Sequence, residues 1–133
     1  MADALCGMPR PTPSARSLVI IVDDDAAVRE ALTFTLELEG FDVEGLGSGE
    51  ALLLCDLPEV GTCLVVDERL PGMSGFEALR RLRLREVRLP ALLMTSHPDF
   101  HLRTAARLAG LPILEKPLLG DVLSDAIRAA LHS

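Results

Sequence analysis

The chain has 133 residues, of which 49% are hydrophobic and 25% charged, and this composition fits one globular domain and excludes disorder of the whole chain. A net charge of −7 argues against nonspecific nucleic-acid binding, and no apolar stretch approaches the roughly 20 residues needed to cross a bilayer. The N-terminus has no basic region followed by an apolar block, so it does not read as a secretion signal.

Residues 1–16 contain Gly7, Pro9, Pro11, Pro13 and Ser14 and read as a flexible tail ahead of a single domain over residues 17–133. From Ser17 onward, strand-like and helix-like patterns alternate five times, which predicts βαβ units and a parallel sheet. The first strand covers residues 18–22 and ends in Asp23-Asp24-Asp25. A helix over 26–39 follows, with Val28, Leu32, Thr35 and Leu36 at helical spacing and Gly40 as its stop. A second strand over 43–46 is interrupted by Gly45. Ser48 can cap a helix over 49–55.

The third strand, 63–66, ends at Asp67, and the loop from Glu68 to Ser74 contains the turn formers Pro71 and Gly72. A helix over 75–85 buries Phe76, Leu79 and Leu82. Its basic run continues to Arg88 and reads either as a solvated helix side or as a docking patch for an acidic partner. The fourth strand, 91–94, ends in Thr95-Ser96. A helix over 99–109 stops at Gly110. The fifth strand, 113–114, runs through Glu115 into Lys116-Pro117. The last helix, 120–131, repeats its apolar residues at i, i+4.

Cys6, Cys55 and Cys63 are odd in number and lack paired metal-ligand spacing, which predicts free thiols in a reducing compartment. Twelve of the thirteen basic residues are Arg, and Lys116 is the only Lys. An ammonium on a flexible stem makes a point contact with an oxygen that a broad guanidinium copies poorly.

If the apolar runs are parallel strands, their C-terminal ends share the sheet edge where open α/β folds place ligands. Asp23 and Asp24 cannot both enter an apolar core as charges. They face solvent, a cation or a basic group, or they act only as capping or surface acids, as Asp25 does if it caps the first helix. Asp67 adds a carboxylate from a second strand, and Mg²⁺ relieves such crowding with oxygen ligands, to which the Arg69 carbonyl can add. Thr95 offers a hydroxyl, Ser96 leaves room for a phosphoryl group, and Lys116 offers positive charge. A single X-Pro pair does not decide whether Lys116–Pro117 is cis.

Taken in order, Val22-Asp23-Asp24-Asp25, the segment from Asp67 to Gly75, Thr95-Ser96-His97 and Glu115-Lys116-Pro117 resemble the response-regulator receiver domain of two-component signalling. The resemblance covers residues 17–131. It implies an α/β, flavodoxin-like parallel sheet of five strands in the order 2-1-3-4-5, with five helices on both faces. It implies that Asp67 accepts a phosphoryl group from a sensor histidine kinase or a histidine phosphotransfer protein. Mg²⁺ would be bound by Asp24, Asp67 and the Arg69 carbonyl, with Asp23 assisting through water. Thr95 and Lys116 would contact the phosphoryl oxygens, and Arg69, Ser96 and His97 would modulate the site.

The resemblance implies a cytoplasmic switch and not an enzyme, limited to self-phosphorylation and slow self-dephosphorylation. One departure is Ile113, three positions before the lysine, where receiver domains commonly carry an aromatic residue. The chain ends soon after the fifth helix, so a stand-alone receiver is expected. Its downstream protein would be met through the face of the fourth helix, fifth strand and fifth helix, with Arg107, Leu118 and Leu119 as candidates. A dimer would use the same face. Two other readings stay open at this point. One is a phospho-independent interaction module. The other is a Mg²⁺-dependent phosphohydrolase, for which Arg69 stands where a second acid would be needed.

Overall fold

The computed structural model describes residues 16–58 and 60–132. The predicted tail, apart from Arg16, lies outside the described residues. Five strands alternate with five helices: β1 Leu18–Val22, α1 Ala26–Leu38, β2 Asp42–Leu46, α2 Gly49–Leu54, β3 Thr62–Asp67, α3 Gly75–Leu84, β4 Ala91–Thr95, α4 Phe100–Leu108, β5 Ile113–Glu115 and α5 Val122–Leu131. The strands form one sheet in the order β2-β1-β3-β4-β5, and every pairing is parallel.

The inner strands β1, β3 and β4 are largely apolar because both faces of the sheet are covered there. Ile20, Val22, Leu64, Val66 and Leu93 pack with Leu52 of α2, Leu79 and Leu82 of α3 and Ala106 of α4. Val19, Ile21, Val65, Leu92 and Met94 pack with Leu36 of α1 and with Leu123 and Ile127 of α5. Alternation along each strand thus divides the core into two layers.

Local chemistry starts four of the helices. Asp25 accepts from the Ala27 and Val28 amides, Ser48 from Ala51, Ser74 from Glu77 and Asp99 from Leu102. Gly40 and Gly110, each with positive φ, follow α1 and α4.

The Arg run divides between pairs within α3 and bonds to other segments. Arg80 and Arg81 both donate to Glu77, whose pKa these hydrogen bonds lower to about 2. Arg83 donates to the Ala109 carbonyl and Arg85 to the Leu53 carbonyl. Cys63 is a buried free thiol, its pKa pushed up to about 12 by burial. Cys55 is disulfide-bonded, which corrects the expectation of a free thiol there. Cys6 lies outside the described residues.

Candidate functional site

Register brings the strand ends together. Val22 lies opposite Val66, and Asp67 opposite Met94, so Asp23 and Asp67 leave neighbouring strands at the same level. Thr95 pairs with Glu115, and the Lys116 amide donates to the Thr95 carbonyl at 2.9 Å. Asp23, Asp67 and Thr95 are buried, whereas Asp24 is exposed.

Oxygens of Asp23, Asp24 and Asp67 lie within 4.8 Å of one another. Lys116 Nζ stands 3.2 Å from Asp67 Oδ2 and 3.5 Å from Asp23 Oδ2. Burial raises the Asp23 pKa, and the neighbouring Asp67 charge adds to this against the opposing pull of the Asp25 amide and Lys116. Burial pulls the Lys116 pKa down, but its hydrogen bond to Asp67 and the two carboxylate charges outweigh that, and the net shift is upward. The Lys116–Pro117 peptide is cis.

The loop after β3 is tightly tied. The Glu68 amide donates to the Met94 carbonyl, the Glu68 carboxylate accepts from the Phe76 amide at 2.8 Å, and the Gly75 amide donates to the Glu68 carbonyl. The sequence places Glu68 in this loop but gives no sign that its carboxylate holds the start of α3. Its pKa is raised, first by burial. The Arg69 amide donates to Asp67 Oδ1 at 3.3 Å, and the Arg69 side chain is exposed.

Ser96 and His97 are exposed beside the site, and the His97 amide donates to Thr95 Oγ1 at 3.3 Å. Ile113 is half-buried on β5 against the core layer of α2, α3 and α4. Leu118 packs partly against the other layer, while Leu119 and Arg107 are exposed.

Hard carboxylate oxygens in this number and spacing suit a small divalent cation, with an ammonium alongside to meet an oxyanion. The profile of the response regulator receiver domain matches residues 19–128. The chain belongs to the response-regulator receiver family.

This receiver chain is 40% identical over 114 residues to the transcriptional regulatory protein FixJ of Azorhizobium caulinodans, which covers 85% of this chain and 54% of the relative. It is 34% identical over 118 residues to nodulation protein W of Bradyrhizobium diazoefficiens, covering 88% of this chain and 52% of the relative. The chain therefore spans about half the length of these relatives. Among solved structures it resembles FixJ-N, with a TM-score of 0.78 and 35% identity over 90% of this chain and 96% of that one. It also resembles the response regulator StyR, with a TM-score of 0.81 and 38% identity over 89% of this chain and 60% of that one. The flavodoxin-like sheet expected of a receiver is the one observed. Receiver domains act as signalling switches and generally not as enzymes, and they bind Mg²⁺ at an acidic pocket.

The buried acid gives this receiver a testable pH response. A carboxyl with a raised folded-state pKa contributes stability below its ordinary value of 3.8 and loses it as pH rises through the raised value. Asp23→Asn removes that loss. In metal-free buffer the stability of the variant minus that of the parent, from urea unfolding, is expected to grow between pH 4 and pH 7. A difference that is flat or falls with pH contradicts the assignment.

Proposed function

We propose that residues 17–133 form a phosphoryl-accepting switch in which Asp67 takes the phosphoryl group from a phosphohistidine of a sensor histidine kinase or a histidine phosphotransfer protein. The observation that carries this reading is the ammonium of the chain's only lysine lying 3.2 Å from Asp67 within the acid cluster. An Asp67 carboxylate oxygen attacks phosphorus as the phosphorus–nitrogen bond breaks, forming an acyl phosphate, and the imidazole leaves and takes up a proton. Asp24, Asp67 and the Arg69 carbonyl would hold Mg²⁺, with Asp23 assisting. The bound ion supplies neutralisation of charge on the transferring oxygens. Lys116 supports the same oxygens, and the Thr95 hydroxyl donates to one of them.

Arg69, Ser96 and His97 line the approach to the phosphoryl group and set how fast water reaches it. This makes hydrolysis of the chain's own acyl phosphate a slow decay and not a turnover reaction. The phosphohydrolase reading finds no support at Arg69, which stands where such an enzyme needs an acid. Ile113 offers no aromatic ring to reorient, so the response runs through repacking around a half-buried aliphatic side chain. The readout changes contacts with a downstream protein, and any dimer forms, through the face of α4, β5 and α5, where Leu119 and Arg107 are exposed. Among the described residues no helix is long and apolar enough to cross a membrane. Meeting the phosphohistidine of a sensor kinase calls for a cytoplasmic switch.

Incubation with Mg²⁺ and acetyl phosphate, followed by intact mass and peptide mapping, tests the proposal. One phosphoryl adduct per chain is expected, on the peptide containing Asp67, and chelation of Mg²⁺ is expected to abolish it. An adduct elsewhere, or none with either acetyl phosphate or a phosphorylated histidine donor, overturns the reading and leaves the phospho-independent module.

A further inference from the structure

Arg29, on α1, has no part in the scheme above. Its Nη1 donates to the main-chain carbonyl of Asp23 at 2.6 Å. To get there the side chain crosses β2. A Cβ on Gly45 would stand 3.2 Å from Arg29 Cδ and 3.6 Å from Nε, and one on Gly47 would stand 3.6 Å from Nη1. Gly45 lies opposite Ile21, two residues before Asp23. Where the guanidinium passes, the edge of the sheet carries no side chain.

Besides its contact with Lys116, three bonds then fix Asp23. Its amide donates to the Leu46 carbonyl at 3.0 Å, its Oδ1 accepts from the Asp25 amide at 2.9 Å, and its carbonyl accepts from Arg29. That carbonyl belongs to the peptide joining Asp23 to Asp24. A peptide is planar, so holding its oxygen sets the orientation of the whole unit as far as the Asp24 Cα, the point from which the Asp24 side chain leaves the chain. Asp24 is the exposed acid of the three, with the least packing to hold it.

We infer that Arg29 is a positioning residue for the acid cluster, aiming Asp24 through the Asp23 carbonyl, and that Gly45 and Gly47 keep its path across β2 open. The inference rests on the reading of Asp23, Asp24 and Asp67 as a cation site.

The test combines Mg²⁺ titration calorimetry with NMR of the Asp23 carbonyl and Asp24 amide in metal-free buffer. Arg29→Met is expected to weaken Mg²⁺ binding by about 10- to 100-fold, the range for a lost outer-shell partner, and to shift both resonances. Arg29→Lys, which keeps a cationic donor, is expected to recover part of the affinity. Gly45→Val is expected to weaken binding by obstructing Arg29 while leaving its chemistry intact. A folded Arg29→Met protein with parental Mg²⁺ affinity and parental resonances overturns the inference, as does a lower melting temperature without either change. If the parent itself binds no Mg²⁺, the cation reading fails. The metal-free resonances of Arg29→Met then decide the positioning claim alone: displaced peaks uphold it and unmoved peaks end it.

Discussion

Replacing Gly75 with alanine is expected to destabilise the protein by about 3 kcal/mol, the upper end for forcing volume into a packed site. A melting temperature lower by roughly 10 °C follows for a domain of this size. The reason is the close approach of α3 to the end of β3. A Cβ at position 75 would stand 2.3 Å from the Asp67 carbonyl oxygen, 2.9 Å from the Asp67 carbonyl carbon and 2.9 Å from Val66 Cγ1. Two of these contacts are backbone, which has no rotamer to change. Relief requires the start of α3 to move away from Asp67, breaking the bonds of Glu68 to the Gly75 and Phe76 amides. Asp67 then loses its placement, and misplacement by about 1 Å costs on the order of a hundredfold in rate. Thermal unfolding and the rate of acetyl phosphate labelling measure the two effects. An alanine variant matching the parent in both would show that α3 need not lie so close.

Replacing Lys116 with methionine is expected to lower the labelling rate by about a hundredfold, the loss typical of removing one donor to a developing oxyanion. Methionine keeps most of the unbranched apolar stem of lysine, one atom shorter, and removes its charge. The variant also leaves Asp23 and Asp67, both buried, without their shared ammonium. Two such carboxylates resist simultaneous ionisation, so one retains a proton at higher pH than in the parent. In metal-free buffer the variant is therefore expected to gain stability, relative to the parent, as pH falls from 7 towards 5. Labelling kinetics and a pH series of urea unfolding provide the measurements. Unchanged labelling would remove Lys116 from the chemistry, and an unchanged pH profile would show that the acids do not depend on it.

Much of the site was legible because strands buried on both faces are written as continuous apolar runs. Where such a run stops at a charge, the sheet edge is marked. Asp23, Asp67, Thr95 and Lys116 follow from that rule, and their registers agree with it. β2 was the faint strand for a physical reason. Gly45 weakens the local pattern, and its function is to give way to a side chain from α1, a tertiary fact with no local trace. Gly75 stands in the sequence only as the first residue of the helix over 75–85, since a close approach between two backbones depends on distances that only the fold sets. The Glu68 carboxylate was equally silent, because its partner is the Phe76 amide, eight residues away. Leu118 was expected on an outer face, yet it packs partly against the core, because the loop into α5 turns it inward.

Lys116 and Asp23 are 93 positions apart in the chain. A nascent or clipped polypeptide lacking β5 thus has the acids without the amine, however well its earlier strands pair. On the proposed chemistry, damage of that kind stops phosphoryl acceptance instead of trapping the accepted form, so folding and signalling would share one closing contact.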